Sequence, residues 1–270
     1  MIELFDRDKK EVNRKSSKGN QLKWEKNGIW YKADYTGYEG LSEYVISNLL
    51  IKSSLKSSEF VVYEQEQIKY GSQIYGGVAS QDFLFKGEQL ITLERLFQNT
   101  YGVGLNRMIY STEDHEERLK LIVSKTEEIT GIKDFGSYMT KLLTIDAIFL
   151  NEDRHTHNIG VIVDSKGEYR LCPIFDQGAG LLSDTTMDYP MTGDIFELMG
   201  KAKPKTFCQD FDEQLEIAEK LYGESIKFSF TRLDVEEILC HVVGYEKAVV
   251  DRVRDILFEQ MRKYIYLFKE

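Results

Sequence analysis

Three polar residues in this sequence have types and spacing suited to phosphoryl chemistry: Asp153 and Asn158 on one loop, and Asp176 eighteen positions further on. They fall in Asn151-Glu152-Asp153-Arg154-His155-Thr156-His157-Asn158-Ile159-Gly160 and Ile174-Phe175-Asp176-Gln177-Gly178. Between them, residues 159–163 and 168–174 read as two short strands around the turn-forming Asp164-Ser165-Lys166-Gly167. A hairpin brings its two ends together, so Asn158 and Asp176 are placed to reach one cation. An amide oxygen and a carboxylate are hard ligands of the kind Mg²⁺ prefers when its other ligands are water and phosphate oxygens. Asp153, five residues before Asn158, stands where a carboxylate takes the proton of an attacking hydroxyl.

That composite resembles the catalytic and metal-binding loops shared by phosphatidylinositol 3- and 4-kinases and the bacterial HipA-like Ser/Thr kinases. Length and surrounding sequence look more like the HipA-like group. The resemblance implies an α+β, protein-kinase-like two-lobed fold with ATP and Mg²⁺ as cofactors. It also implies Asp153 as catalytic base, with Arg154 and His155 beside it, and Asn158 and Asp176 as metal ligands. Arg154 either orients the loop by pairing with a carboxylate or packs as a hydrogen-bonded structural residue, and His155 either touches phosphate or acceptor or packs structurally.

A kinase also needs a lysine over the phosphates, steadied by a glutamate from a neighbouring helix. Lys32, in Trp30-Tyr31-Lys32-Ala33-Asp34, and Glu43 are the expected pair, with Lys23 and Glu39 in reserve. The polar stretch Arg14-Lys15-Ser16-Ser17-Lys18-Gly19-Asn20-Gln21 lacks the Walker A pattern but resembles the phosphate loop of HipA-like proteins. Ser16, Ser17 and Gly19 are its expected phosphate contacts, and Ser16 or Ser17 its expected autophosphorylation site, where added charge would repel the nucleotide. Gln81 and Phe83, where the lobes should join, are the expected adenine contacts. Residues 176–206 are the expected activation region, with Met187-Asp188-Tyr189-Pro190 presenting or excluding the acceptor.

The elements that must position these residues are legible in part. Residues 21–26 and 29–35 alternate around Asn27-Gly28, the dipeptide best suited to a two-residue hairpin turn. Residues 40–50 carry helical periodicity through Leu41, Val45 and Leu49. Residues 59–67 and 89–93 read as strands joined by a Gly-rich connection over 70–80. Residues 116–129, 139–150 and 212–222 read as helices, and 233–266 as a long helical region that Gly244 interrupts, with Thr231 as N-cap. The expectation is a small β-rich N-lobe over residues 1–85 and a larger, mostly helical C-lobe over 86–270.

Composition sets the bounds. With 270 residues and 42% hydrophobic content the chain can bury a proper core. No apolar run approaches the roughly 20 residues of a membrane-spanning helix, and the start is not that of a signal peptide, so a cytoplasmic protein without membrane contact is expected. Cys172, Cys208 and Cys240 have neither disulfide nor zinc spacing. A net charge of −10 disfavours direct nucleic-acid binding, because that affinity comes largely from neutralising phosphates. A basic stretch over residues 7–23 reads either as a solvated segment or as a phosphate-facing one.

The reading at this point is a HipA-like Ser/Thr kinase with a protein acceptor, and toxicity restrained by an antitoxin or regulatory partner comes from the resemblance alone. The rivals are a lipid or small-molecule kinase using the same residues, and a pseudokinase or binding module. The chain is shorter than full-length HipA toxins, as if lacking their N-terminal subdomain, and is similar to trimmed members of the group.

Overall fold

The turn at Asn27-Gly28 folds as its chemistry dictates. Both residues take left-handed φ angles, 56° and 77°, and join β2 (Lys23–Lys26) to β3 (Ile29–Ala33) as an antiparallel hairpin. These strands form one edge of a five-stranded sheet with β1 (Ile2–Leu4), β4 (Glu64–Tyr70) and β5 (Gln73–Gln81), in the order β1-β4-β5-β3-β2. In this computed structural model, residues 1–10 and 21–269 are described. Ser16, Ser17 and Gly19 therefore lie outside the described residues.

Strand alternation decides which way β3 points its side chains. Tyr31 and Ala33 join Trp24, Leu4 and Ile68 in a small apolar cluster. Lys32, between them, belongs to the opposite face, on the side of Tyr63 and Val78. Helix α1 (Glu39–Leu50) crosses that face, burying Leu41, Val45, Ile46 and Leu49 in the main core.

The Gly-rich stretch expected to be a connection is instead strand β5, which lies between β3 and β4. Glycine is used here for close approach rather than for turning. A Cβ on Gly77 would sit 2.1 Å from the Lys32 carbonyl oxygen, and one on Gly40 of α1 would sit 2.8 Å from the Gly77 Cα. The preceding strand starts at Glu64 rather than at residue 59, and the apolar run Phe60-Val61-Val62-Tyr63 ahead of it bridges to Ile174 instead. That run lies alongside the approach to Asp176: Ile174 N–H donates to the Glu59 carbonyl at 2.8 Å and Val61 N–H to the Ile174 carbonyl at 3.0 Å.

Strand β6 (Gln89–Thr92) leaves the first sheet and pairs with β7 (Gly160–Val163), which pairs with β8 (Tyr169–Leu171). The second hairpin is thus present, with a shorter second strand than its sequence implied. Two helices that the sequence reading passed over follow β6: α2 (Leu93–Tyr101), N-capped by Thr92, and the short α3 (Leu105–Ile109). Then come α4 (His115–Thr130), α5 (Phe135–Phe149), the short α6 (Ile195–Met199) and α7 (Phe211–Tyr222). The last helical region divides into α8 (Arg232–Cys240) and α9 (Lys247–Lys263), with Gly244 at φ 86° between them. Thr231 caps α8 reciprocally with Asp234. Among the described residues no helix is long and apolar enough to cross a membrane.

Asp34, just after β3, ties three parts together. It accepts from the Gly40 N–H at 2.6 Å and the Tyr245 hydroxyl at 2.7 Å, while its own N–H donates to Gly76 at 2.8 Å. Burial pushes its carboxyl up to about 7, with Glu39 and Glu43 adding to the rise against the two hydrogen bonds. The unfolded chain loses this proton near pH 4, whereas the folded chain keeps it until about 7, so stability should fall as pH rises across that window. Urea unfolding of Asp34→Asn should show a flatter stability profile than the parent between those values; parallel profiles would contradict the assignment.

Candidate active site

The site is built on a loop that begins where α5 ends. Leu150 caps that helix in the left-handed conformation, φ 53°, and Asn151 N–H turns back to the Asp146 carbonyl at 2.9 Å. Asp146 is an acid on the apolar side of α5, 1% exposed. Its carboxylate holds Asn151 Nδ2 at 2.7 Å and the Arg154 guanidinium through Nε at 3.1 Å and Nη2 at 3.2 Å.

Arg154 is itself 1% exposed. Its Nη1 donates to two backbone oxygens, Asn158 at 3.1 Å and Phe175 at 2.9 Å. One buried cation therefore clamps the Asn158 loop to the residue before Asp176. Arg154, expected beside Asp153 among the catalytic residues or as an orienter of the loop, does not line the cleft and is paired as the loop-orienting reading has it. Breaking a buried pair strands the other charge at a cost of about 3–5 kcal/mol. Arg154→Met should lose stability on that scale in urea unfolding, and Arg154→Met with Asp146→Leu should lose clearly less. Equal losses from the single and the double change would contradict the pairing.

Asp153 and Asn158 are fixed to each other. Asn158 Nδ2 donates to the Asp153 carbonyl at 2.7 Å and to its Oδ2 at 3.2 Å, which turns the amide nitrogen inward and leaves the amide oxygen for a cation. Oδ1 of Asp153 has His155 Nε2 and Lys205 Nζ each at 3.7 Å. The His155 ring accepts at Nδ1 from the His157 N–H at 3.3 Å. Burial lowers its pKa, with Asp153 opposing and His157 reinforcing the fall.

Across the cleft, Lys32 Nζ pairs with Glu43 of α1 and with Asp176 Oδ1 at 2.7 Å, and has the Tyr63 hydroxyl at 3.4 Å. The expected Lys32–Glu43 pair is present, and Lys32 bridges on to the Asp176 loop. Burial disfavours the Lys32 ammonium, but Asp176 and Glu43 outweigh it and hold its pKa well above the usual lysine value. Glu43 is 0% exposed, and burial raises its carboxyl despite Lys32. Among the described residues its Oε2 has no hydrogen-bond partner.

Asp176 carries the opposite balance. Burial would raise its carboxyl, but Lys23 and Lys32 together hold it far below the usual carboxylate range. Lys23, kept in reserve by the sequence reading, thus belongs to the site: its Nζ is 3.5 Å from Asp176 Oδ1. Lys23 and Lys32 are direct cross-strand partners, an arrangement of like charges that is unfavourable unless an anion lies between them. Asp176 has φ 63°, and Leu181 and Leu182 beyond it have 54° and 57°. Such left-handed non-glycine residues concentrate where surrounding structure fixes a site.

These groups meet in one cleft of about 920 Å³. Asp153, His155, Asn158 and Asp176 line it with Lys23, Lys32 and Tyr63. Gln81 and Phe83 line another part, where the Phe83 ring lies 5.4 Å from that of Phe175. The Phe83 carbonyl already accepts from Arg170 Nη2 at 3.2 Å. Lys10 and Gln21, which bound residues 11–20, both line the cleft. Of the 187–190 stretch, Met187 is exposed, whereas Tyr189 is buried with its carbonyl on Arg252 Nη2 at 3.1 Å.

Two members of the site escaped the sequence reading. Tyr63 left no mark in an apolar run. Asp146 did: a lone acid on the face of Leu142, Ile145 and Phe149 needs a buried partner, and Arg154 is that partner.

No family model and no curated protein matches the sequence. Among solved structures, the Helicobacter pylori proinflammatory kinase CtkA is similar over 94% of this chain and 91% of its own, with a TM-score of 0.62 and 18% identity. A chain of the Shewanella oneidensis MR-1 toxin–antitoxin complex of HipA, HipB and operator DNA is similar over 89% of this chain and 59% of its own. Its TM-score is 0.42 and its identity 10%. The fold is α+β and kinase-like, an N-terminal β-sheet followed by a mostly helical part, as in the CtkA kinase.

Proposed function

We propose that this protein is an ATP- and Mg²⁺-dependent serine/threonine protein kinase of HipA-like type. The observation that carries the reading is the arrangement around Asp176: a carboxylate kept ionised by two lysines, one of them paired to a helix glutamate, in one cleft with Asp153 and Asn158. A kinase needs this set for the phosphates, the metal and the acceptor hydroxyl.

The donor set fits the metal. The Asn158 amide oxygen and the Asp176 carboxylate are the ligands that would hold Mg²⁺, which when bound offsets the charge of the phosphate oxygens. Lys32 and Lys23 meet the same negative charge from the sheet side. Asp153 Oδ1 faces the cleft as the acceptor of the hydroxyl proton. In this reading Gln81 and Phe83 contact the adenine, and Ser16, Ser17 and Gly19, outside the described residues, are the expected phosphate contacts. We place the division between the lobes near residue 85, with the cleft between them. A protein acceptor and a restraining partner, as in toxin–antitoxin pairs, belong to the same reading, as does a cytoplasmic location.

Mg²⁺-dependent stabilisation by ATP tests it. The melting temperature should rise with ATP and Mg²⁺ together and much less with either alone. Indifference to the pair would favour a binding module with a kinase-like fold.

A further inference from the structure

Beside the main cleft lies a second cavity of about 330 Å³, whose walls include Lys201, Lys203, Lys205, Glu152 and Asp188. Burial alternates along this stretch: Ala202, Pro204 and Thr206 are buried, Lys201 and Lys203 are exposed, and Lys205 is half-buried. Lys201 lies in the turn that closes α6, its N–H on the Leu198 carbonyl at 3.0 Å, and the chain then runs on without regular structure, so that all three lysines line the one cavity. The run is anchored at the catalytic loop. The Thr206 hydroxyl donates to the Arg154 carbonyl at 2.6 Å, and the Lys203 N–H to Glu152 Oε1 at 3.1 Å. Glu152 is 6% exposed and also takes the Tyr189 hydroxyl, so its charge is engaged in holding the wall.

Lys205 joins this cavity to the reacting end of the main cleft, its Nζ 3.7 Å from Asp153 Oδ1, and Lys203 and Lys201 line the same cavity. In a chain with 45 acidic and 35 basic residues, three lysines within five positions are a local reversal of sign. Alternate side chains of an extended peptide share one side, so its acidic residues can face these lysines together, and rim charges of opposite sign steer and register such a partner.

We propose that this cavity is the docking site for the acceptor segment, and that it selects serine- or threonine-bearing peptides flanked by aspartate or glutamate. The assignment rests on the kinase reading of the adjoining cleft. Lys201 and Lys203 are its specificity-determining residues, and neither touches the reacting atoms.

The test uses the full-length protein, saturated with ADP and Mg²⁺, and three labelled peptides with a central serine flanked on both sides by glutamate, glutamine or lysine. Fluorescence anisotropy should show the glutamate peptide bound about tenfold more tightly than the glutamine one, the scale of two exposed ion pairs, with the lysine peptide weakest. Lys201→Glu with Lys203→Glu should abolish the preference and leave Mg²⁺-dependent stabilisation by ATP unchanged. Equal binding of the glutamate and glutamine peptides, or a preference that survives charge reversal, overturns the assignment while the ATP response keeps the kinase reading. A single-stranded oligonucleotide that binds through these lysines when the glutamate peptide does not also overturns it. Parent protein that ignores ATP and Mg²⁺ removes the kinase reading and the acceptor assignment with it.

Discussion

Asp176→Asn should abolish the stabilisation of the protein by ATP and Mg²⁺. A ligand at about 100 times its Kd adds about 2.7 kcal/mol to the folded state, and for a chain of this size each kcal/mol moves Tm by roughly 2–4 °C. The loss should therefore be several degrees in a thermal-shift assay with saturating nucleotide. The physical reason is the charge at one point. Asp176 is the carboxylate between Lys23 and Lys32, and an amide there offers a cation a much weaker ligand. The free protein should weaken as well. The carboxyl of Asp176 is depressed on folding, so it contributes stability above the unfolded value near 4 and loses it only as pH falls towards its folded value. The Tm of Asp176→Asn without ligand should thus lie below that of the parent at pH 7. A variant that kept the full nucleotide response would remove Asp176 from the metal site.

Asp153→Asn should show the complementary pattern, with the nucleotide response retained and phosphoryl transfer reduced. Positioned general bases contribute typically about 10²–10⁴-fold, and the expected loss in turnover falls in that range. The substitution keeps the shape of the side chain and its backbone bonds to Asn158 and His155, so the loop should stay in place. Asn in place of Asp removes the proton acceptor and the charge opposite His155 and Lys205. A thermal shift equal to that of the parent together with a slow single turnover is the result that separates this residue from Asp176. Loss of both responses in both variants would merge the two roles and contradict the assignment.

The sequence was most legible where local chemistry and global fold agree. Asn27-Gly28 admits almost one conformation, and the hairpin formed around it; α1, α4, α5 and α7 show periodic apolar faces, and Thr231 with Asp234 marks the start of α8. What escaped depended on partners far along the chain. Strand β5 contains Gly76 and Gly77, which look like loop residues until the fold brings Asp34 and the Lys32 carbonyl so close that a side chain would collide. Strand β6 was read correctly as a strand, but its pairing with β7 is a long-range fact that periodicity does not carry.

The site shows the same division. Lys32 and Glu43 could be paired from the strand and helix that hold them, because each lies on a short, recognisable element. Lys23 enters because the two-residue turn at Asn27-Gly28 fixes the register that sets it opposite Lys32, so this partnership too was legible in the sequence. Arg154 looks like a catalytic-loop residue by position, yet its burial makes it the clamp beneath that loop.

The central claim is transfer of the γ-phosphoryl group, and the most direct measurement is incubation of the purified protein with γ-labelled ATP and Mg²⁺ beside Asp153→Asn, followed by intact mass and peptide mapping. The expected result is a phosphate on a serine or threonine, Ser16 or Ser17 first among them, that appears in the parent and is strongly reduced in the variant. Equal incorporation in both proteins, or label that appears without Mg²⁺, would contradict the account.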